Sequence, residues 1–465
     1  MNKTANHGLF IDFGSTFTKL IWIDLDAERI ISRTQSPSTV DTDIMVGLNT
    51  ALDQISALQG QALTFRHKLA CSSAAGGLRM VTIGLVPELT VEAGKRAALG
   101  AGAKVVGVYS YQLTKKELQE LENIAPDIIL LAGGTDGGDR LTILKNATSL
   151  SHCNLHCPIV VAGNKVASDD IQDILDSGNK EYVITDNVLP EIGVLQVDKV
   201  RSIIREVFIN RIIESKGLKN AEQFVDGILM PTPTAVLTAA KLLSQGTEKE
   251  EGLGELVILD IGGATTDIHS IGWGEPTESG VVQKGLPEPL VKRTVEGDLG
   301  MRYNASSILH AVGEDHFRRA LGNSNLNVEK EVGQLSHFTD RLPESSTEWR
   351  LDAELARTAA RLAMQRHAGT IEPTYGPQGQ ILIQYGKDLT AIRTVIGTGG
   401  PLVFSPAPKK ILEAVLFSET NPFSLKPKRP DFYLDKAYLL YAIGLMSEIE
   451  PEKALRVAKK HLTKI

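Results

Sequence analysis

The stretch that decides the fold is FIDFGSTFTK, residues 10–19. Apolar residues lead to an aspartate, Asp12, and glycine, hydroxyl side chains and a lysine follow it at once. This pattern predicts a β-strand that ends at Asp12 and a tight turn after it. Such a turn is either an ordinary hairpin or a cradle for phosphate, because glycine lets backbone N–H groups approach an anion. One copy does not decide between these interpretations.

A second copy of the pattern, LVILDIGGATTD (256–267), lies about 250 residues later. It again places an aspartate, Asp260, between an apolar strand and a turn of small residues. Two copies favour a duplicated fold in which two loops face each other and bind the phosphates of ATP. The candidate phosphate-binding residues are Gly14, Ser15, Thr16 and Lys19 in the first copy and Gly262, Gly263, Thr265 and Thr266 in the second.

The two aspartates are the candidate metal ligands and the first candidate catalytic residues. Mg²⁺ keeps most of its water ligands and is usually held by one or two carboxylates. Asp12 and Asp260, one from each copy, could therefore hold a hydrated Mg²⁺ beside the triphosphate. The sequence contains no GxxxxGK[ST] phosphate loop, which would have been the common alternative for binding ATP.

A third glycine-rich element is RTVIGTGGPLVF (393–404), which predicts a strand that ends in a turn. Glycine at such a turn lets the backbone approach adenine and ribose closely. Taken alone the signal is weak, since glycine is common where helices and strands connect. The candidate adenosine-binding residues are Gly397, Thr398, Gly399 and Gly400.

Strand-like and helix-like segments alternate from about residue 80 to 215. The continuous apolar runs AKVVGVYS, PDIILLAGG, CPIVVAGN and KEYVITDN predict a parallel sheet covered on both faces, which we interpret as an inserted α/β domain. The segment GGTDGGD (133–139) follows one of these strands, at the edge of the sheet where ligands often bind. It contacts a partner, lines a site or forms a flexible strand–helix turn, and the sequence leaves all three open.

Composition excludes several classes of function. The net charge is −7 without a long basic run, which argues against binding to nucleic acid. No run of about 18 apolar residues predicts a membrane span, and MNKTANHGLF has no apolar signal-peptide core. The three cysteines are few and odd in number, which predicts a reducing cytoplasm. We discount HCNLHC (152–157) as a metal site, since no second ligand pair is visible.

DFGSTFTK, LDIGGATTD and IGTGGP resemble the phosphate 1, phosphate 2 and adenosine motifs of the superfamily of actin, heat-shock chaperones and sugar kinases. MPTPTAVLTAA (230–240) and AYLLYAIGLM (437–446) resemble its two connecting helices. VEGDLGMR (295–302) resembles a loop that approaches the phosphates, which makes Gly297, Asp298 and Gly300 candidate cleft residues. Glu296 and Arg302 flank these glycines, and their charges predict an ion pair, either in the cleft or on the surface.

From residue 8 to about 455 the chain further resembles the GlmL/MutL family, the accessory protein of adenosylcobalamin-dependent glutamate mutase. The supporting strings include IILLAGGTDGGD, EGDLGMR and GKDLTAIRTVIGTGGPL. The resemblance implies an ATP-dependent reactivase, which couples ATP to the release of damaged cobalamin from a partner mutase. It leaves open which mutase is served and the oligomeric state.

The resemblance also implies an architecture: an α/β protein with two actin-like (RNase H-like) ATPase domains around a nucleotide cleft. The expected segments are the first actin-like domain at 1–80 and 201–250, the inserted α/β domain at 81–200, the second actin-like domain at 251–440, and C-terminal helices at 441–465 that return to the first domain.

One departure from the superfamily concerns the group that activates water. Chaperones of the superfamily carry a glutamate in the first connecting motif, and Thr232 stands at the corresponding position. Threonine is no general base at neutral pH, so we expect slow hydrolysis or water oriented by another carboxylate such as Asp267. The alternative function is a small-molecule kinase of the same superfamily, which requires a general base beside an acceptor pocket.

Overall fold

A computed structural model describes residues 6–14, 16–39, 42–59, 64–72, 78–215, 224–322, 326–339, 341–376 and 379–465. Ser15, a candidate phosphate-binding residue, lies outside the described residues. The chain forms two compact units. Unit 1 comprises Met1–Ser72, Asn220–Lys284 and Glu288–Ile465, and unit 2 comprises Ser73–Lys219 and Gly285–Pro287.

Unit 1 begins with an antiparallel meander, a helix and a strand that returns parallel to the first. The first strand is central, and its side chains from Leu9 to Ile11 are fully buried, as expected for a strand covered on both faces. The elements are β1 (His7–Phe13), β2 (Phe17–Asp24), β3 (Arg29–Pro37), α1 (Ile44–Gln59) and β4 (His67–Ser72).

Unit 2 is a doubly wound α/β domain with five parallel strands in the order β6-β5-β7-β8-β9. The predicted parallel sheet is confirmed, although the sequence reading did not assign its first strand. The elements are β5 (Arg79–Gly84), a π-helical turn (Pro87–Val91), α2 (Glu92–Gly100), β6 (Lys104–Ser110), α3 (Lys115–Ile124), β7 (Ile128–Leu131), α4 (Leu141–His152), β8 (Ile159–Val161), a 3₁₀ turn (Lys165–Ala167), α5 (Ser168–Ser177), β9 (Tyr182–Ile184) and α6 (Asp198–Ser215).

The remaining elements of unit 1 complete the first sheet and build a second one. They are β10 (Gly227–Pro231), α7 (Thr232–Gln245), β11 (Leu256–Ile261), β12 (Thr266–Ile271), β13 (Val281–Lys284), β14 (Val291–Glu296), α8 (Ala305–Val312), α9 (Glu314–Leu321), α10 (Val328–His337), α11 (Ser346–His367), β15 (Thr370–Gly376), β16 (Gly379–Tyr385), β17 (Thr394–Thr398), α12 (Gly400–Val403), α13 (Pro408–Leu412), a 3₁₀ turn (Glu413–Val415), β18 (Asp431–Leu434), α14 (Leu440–Ser447), α15 (Pro451–His461) and β19 (Thr463–Lys464).

The two large sheets of unit 1 share one strand order. The first sheet runs β10-β4-β1-β2-β3, and the second runs β14-β12-β11-β17-β18 with β19 added at its end. In both, an antiparallel pair lies on one side of the central strand and parallel strands lie on the other. This repeat is the predicted pair of RNase H-like, actin-like domains. A separate three-stranded sheet has the order β13-β16-β15.

Helices α7 and α14 pack between the two large sheets. One apolar cluster joins side chains of β1, β11 and both helices, including Phe10, Ile258, Ala235 and Ile443. The helices cross so closely that a Cβ on Gly444 would lie 2.0 Å from the carbonyl oxygen of Ala235. Glycine is therefore required at this crossing. This central pair of helices packs against both β1 and β11 and so helps to position the loops that follow these strands.

Candidate functional site

Equivalent backbone hydrogen bonds close the turns after β1 and β11. In the first, the N–H of Gly14 donates to the carbonyl of Phe17 at 3.1 Å, and in the second Gly262 donates to Thr265 at 2.9 Å. Both hairpins therefore close with the same three-residue step after an aspartate at the end of a central strand. The duplication seen in the sequence is a duplication of local structure.

The two turns, here called the Asp12 loop (residues 12–19) and the Asp260 loop (residues 260–267), meet within unit 1. A Cβ on Gly263 would lie 3.5 Å from Oγ1 of Thr16, so no bulky side chain separates them. Ser38 supports the first loop by donating from its Oγ to the carbonyl of Gly14 at 2.8 Å. Backbone N–H groups of Met301 and Arg302 support the second by donating to Gly262 and Gly263. Hydrogen bonds from other segments thus support both loops, and Gly263 of one loop faces Thr16 of the other.

Asp12 is a buried carboxylate whose two oxygens are both occupied. Nζ of Lys19 donates to Oδ2 at 3.0 Å, and the two residues lie directly opposite each other in the β1–β2 ladder. Oγ1 of Thr232, the first residue of α7, donates to Oδ1 at 2.6 Å. The Cys71 thiol also approaches Oδ1, at 3.7 Å, and burial raises the pKa of that thiol. These donors hold the Asp12 carboxyl group in one orientation.

Lys19 carries the positive charge at the centre of the site. Burial alone would lower its pKa, but the neighbouring Asp12, Tyr438 and Asp260 together raise it, so the ammonium form persists. Its Nζ lies 4.4 Å from the centre of the Tyr438 ring, which is cation–π distance. Tyr438 adopts φ = 58°, a left-handed conformation that costs a bulky residue energy. In this strained conformation, the aromatic ring of Tyr438 lies against the ammonium group of Lys19.

Asp260 occupies the same position as Asp12 in an opposite electrostatic environment. Its partner across the β11–β12 ladder is Asp267 instead of a lysine. Burial, followed by the negative charge of Asp267, raises the pKa of Asp260 to about 7, although Lys19 opposes the change. Asp267 itself is paired, because Nη2 of the buried Arg293 donates to its Oδ2 at 3.0 Å. Asp260 is thus the carboxyl group whose charge changes near neutral pH.

Asp435 completes the group of carboxylates and was not identified from the sequence. It follows β18, is buried, and accepts hydrogen bonds from the N–H groups of Leu439 and Leu440 at the start of α14. Burial raises its pKa, although these hydrogen bonds oppose the change. Thr398 donates to its Oδ2 at 3.1 Å, which links Asp435 to the predicted adenosine element. An aspartate between a strand and a helix was the available signal.

The predicted adenosine element is a strand followed by a sharp turn beside β11. Thr398 lies next to Asp260 in the parallel β11–β17 pairing. Gly399 adopts φ = 98°, and a Cβ there would lie 2.2 Å from the carbonyl of Ile261, so this glycine is needed for packing. Gly397 packs against Leu412 and Leu402, whereas a Cβ on Gly400 would meet no atom within 4 Å. Gly400 is therefore the member of this element with space beside it.

Other candidate residues lie in contacts of their own. The hydroxyl of Thr266 donates to the carbonyl of Leu299 at 2.7 Å and supports the loop from within the core. Asp298, beside Gly297, forms a two-pronged ion pair with Arg366 at 2.7 and 2.8 Å and its side chain is largely exposed. These contacts leave the assignment of both residues to nucleotide binding a prediction.

The expected ion pair between Glu296 and Arg302 is wrong. Glu296 pairs with Arg366 at 2.6 Å, and Arg302 pairs with Asp352 at 2.7 Å. Both partners belong to α11, which packs against this segment and offers each side chain a closer opposite charge. The tight turn between the two residues, held by the N–H of Leu299 on the carbonyl of Glu296, sends them in different directions.

The donor set is compatible with magnesium held between the loops. Among the described residues, no group of three or more histidine, cysteine, aspartate or glutamate side chains is placed to hold a metal ion unaided. Mg²⁺ needs less, because it retains water and shares phosphate oxygens with one or two carboxylates. Asp260, kept partly protonated by the negative charge around it, is the carboxyl group that a divalent cation would relieve. Asp12 already has a cation in Lys19.

No helix in the described part of the chain is long and apolar enough to span a membrane.

Comparisons with known proteins give a family. A profile described as "MutL protein" matches residues 8–462. The chain is 50% identical over 458 residues to "Protein MutL" of Clostridium tetanomorphum, which covers 98% of this chain and 99% of that protein.

Solved structures are more distant. Xylulose kinase from Bifidobacterium adolescentis aligns over 99% of this chain and 96% of its own, with 10% identity and a TM-score of 0.33. A glycerol dehydratase reactivase aligns over 95% and 99%, with 9% identity and a TM-score of 0.33. At such scores the fold assignment rests on the strand order of the sheets, and the family on sequence. On the match over nearly its whole length, this chain belongs to the MutL protein family.

Proposed function

We propose that this protein binds ATP with Mg²⁺ between the Asp12 and Asp260 loops, hydrolyses it slowly, and acts as the reactivase of an adenosylcobalamin-dependent mutase, with glutamate mutase as its partner. The single observation that carries the ATP site is the meeting of two equivalent aspartate turns, with Gly263 facing Thr16. Membership of the MutL family, whose members resemble accessory proteins of that mutase, supports the role.

The Asp12 loop is suited to binding phosphate in a fixed geometry. Lys19 supplies a permanent positive charge beside a turn of glycine and hydroxyl residues, a composition suited to binding an anion. Because Asp12 and Thr232 are hydrogen-bonded to each other, Thr232 orients the carboxylate and takes no proton from water. Mg²⁺ bound between the two loops would neutralise phosphate charge and polarise the phosphoryl group.

The Asp260 loop is suited to exchanging a proton. With a pKa of about 7, Asp260 carries a proton up to about neutral pH, and Mg²⁺ bound to its carboxylate would displace that proton. Asp267, committed to Arg293 by an ion pair, acts by setting that pKa through its charge. Asp267 stays the residue proposed to orient the attacking water.

Because the two loops belong to two domains, a bound nucleotide could change the conformation of the protein and hence its affinity for a partner. A γ-phosphate would contact donors of both loops and favour the arrangement in which they are close, whereas ADP would contact fewer of them. A ligand shifts a conformational equilibrium only by its different affinity for the two states. In this proposal, ATP and ADP states of the protein differ in their affinity for the mutase, and the difference loosens a damaged cobalamin.

The test is ATP hydrolysis with Mg²⁺, measured alone and with glutamate mutase inactivated by bound damaged cobalamin. We expect slow hydrolysis that rises with the mutase, restores mutase activity, and is lost in Asp12→Ala and Asp260→Ala. Asp315→Ala, at an exposed carboxylate of α9, is the matched control and should keep full activity. Hydrolysis that ignores the mutase but is accelerated by a small hydroxyl or carboxyl acceptor would make the protein a kinase instead.

A further inference from the structure

Large apolar side chains are exposed at one edge of the unit 2 sheet. All five strands are parallel, so the segments that follow them emerge at the same, carboxyl edge. Each of β6, β7, β8 and β9 is followed at this edge by an exposed apolar residue. They are Tyr111 (59% exposed), Leu141 (66%), Val166 (53%), Ile192 (78%) and Val194 (47%).

The loops that carry these side chains are tied into one surface by two buried asparagines. Asn164 accepts from the N–H groups of Gly137 and Val166 at 3.1 and 3.0 Å. Asn187 donates to the carbonyl of Gly134 at 3.0 Å and to Oδ1 of Asp136 at 3.0 Å. The loops after β7, β8 and β9 are thereby hydrogen-bonded to one another. A surface fixed in this way loses little conformational entropy on binding.

The segment GGTDGGD forms part of this surface, and two of its glycines are closely packed. A Cβ on Gly134 would lie 2.1 Å from the carbonyl oxygen of Asp139, and one on Gly138 would lie 2.6 Å from Oγ1 of Thr135. The glycines let the segment fold onto itself and fill the space beyond the strand. Of the three interpretations that the sequence left open, contact with a partner fits this arrangement best.

The same edge is acidic. Residues 111–117, 132–140, 162–170 and 185–199, which follow β6 to β9, contain eight carboxylate and five basic side chains. Three of the basic side chains are paired within the edge: Arg140 with Asp170, Lys165 with Asp136 and Lys199 with Asp186. An apolar surface with an acidic excess is complementary to a protein face that combines apolar side chains with lysine and arginine.

We propose that this edge, defined by Tyr111, Leu141, Val166, Ile192 and Val194, is the docking surface for the mutase, which contacts it through an apolar face with a basic rim. The inference rests on the proposed function, since it assigns the partner of that function to a place on unit 2. Tyr111 and Ile192 are the expected centres of binding energy, because large apolar side chains dominate protein interfaces.

The experiment measures the dissociation constant of the complex with inactivated glutamate mutase by calorimetry. The double variant Leu141→Arg/Ile192→Arg places charge of the partner's sign on the surface, and we expect binding to weaken about 100-fold or more. Leu342→Arg is the matched control, since Leu342 of unit 1 is 64% exposed and lies outside the surface. Circular dichroism and hydrolysis of ATP without mutase should stay unchanged in all variants.

Wild-type affinity in the double variant would overturn the docking surface and leave the proposed function standing. Failure of the wild-type protein to bind the mutase at all would overturn both. Self-association of the wild-type chain in sedimentation, lost in the double variant but with mutase affinity kept, would assign the surface to a second copy and overturn the mutase as its occupant. Affinity that falls with added salt in the wild type supports the basic rim.

Discussion

Asp12 and Asp260 end equivalent central strands and precede turns with the same hydrogen bond, yet Lys19 faces the first and Asp267 faces the second. Lys19 and Thr232 both donate hydrogen bonds to Asp12, whereas burial and the charge of Asp267 raise the pKa of Asp260 to about 7. The repeated backbone fixes where a carboxyl group stands, and the residue across the ladder decides its charge. Two copies of one turn thereby acquire different chemistry.

The two loops consequently differ in their electrostatic contribution to folding. The Asp12 loop contains a complete ion pair and contributes to folding without any ligand. The Asp260 loop concentrates negative charge that burial disfavours, a cost that is removed only by a proton or a cation. We infer that the first loop positions phosphate and the second responds to it. The following predictions test this division, from the largest expected effect to the smallest.

Replacing Asp12 by alanine should produce the largest loss. It leaves the ammonium of Lys19 without its partner in a mostly buried position, which costs about 3 kcal/mol of the free energy of unfolding. Denaturation with urea measures that loss, and hydrolysis of ATP should fall below detection. The double variant Asp12→Ala/Lys19→Met should regain part of the stability but none of the activity. Equal stability of the single variant and the wild type would show that the pair contributes nothing.

Replacing Asp260 by asparagine should have the opposite sign for stability. The folded pKa of about 7 exceeds the ordinary value of 3.8, so the folded state binds the extra proton between about pH 4 and 7 and stability falls as pH rises through that window. Asparagine removes this fall. At pH 8 the free energy of unfolding should rise by about 1–2 kcal/mol, less than the full shift implies because Asp260 is only partly buried.

The control for that prediction is the pH series itself. Urea denaturation of the wild type and Asp260→Asn should give a difference that grows from pH 4 to 7 and is constant above it, while nucleotide binding weakens in the variant at every pH. A variant that is less stable than the wild type at pH 8 would show that the carboxylate of Asp260 is stabilised in the fold, against its raised pKa.

Replacing Asp267 by asparagine should lower the number of protons that are released when Mg²⁺ and ADP bind. At pH 6 the raised pKa keeps Asp260 mostly protonated, so binding of Mg²⁺ and ADP should release about one proton. Without the charge of Asp267 the pKa of Asp260 falls, and the release at pH 6 should become smaller. Calorimetry in two buffers with different ionisation enthalpies measures it. Asp315→Asn is the control, and an unchanged release in Asp267→Asn would remove Asp267 as the cause.

The sequence predicted the parts of the site that are local to one hairpin. Strand, aspartate and turn are written within about ten residues, and their duplication indicated both the fold and the facing loops. The opposition of Asp12 to Lys19 follows from hairpin register once the turn is known. The raised pKa of Asp260 was not foreseen, because it depends on burial and on the charges of four other residues from three separate segments.

Residues brought in by distant segments escaped prediction. Asp435 and Tyr438 reach the site because β18 joins the second sheet and α14 then packs against α7, more than 400 residues after Asp12. The wrong ion pair between Glu296 and Arg302 has the same origin, since α11 supplied both true partners. Spacing within a motif does not show which other element will pack against it.

Replacing Tyr438 by leucine should give the smallest effect and show whether the Asp12 loop depends on the aromatic ring. Loss of the cation–π contact with Lys19 costs about 0.5 kcal/mol of stability. Leucine is as strained as tyrosine in the left-handed backbone conformation of this residue, so relief of strain does not offset that loss. The pKa of the Tyr438 hydroxyl is raised to about 12, mainly by burial, so the group stays neutral and Tyr438→Phe should behave as the wild type. Tyr438→Gly removes both the ring and the backbone strain, so comparison with Tyr438→Leu separates these two contributions to stability. Glycine also lowers the stability further, because it makes the unfolded chain more flexible. Nucleotide affinity should fall two- to threefold in Tyr438→Leu and remain unchanged in Tyr438→Phe. Equal loss in both variants would mean that the hydroxyl group, and not the ring, holds Lys19 in position.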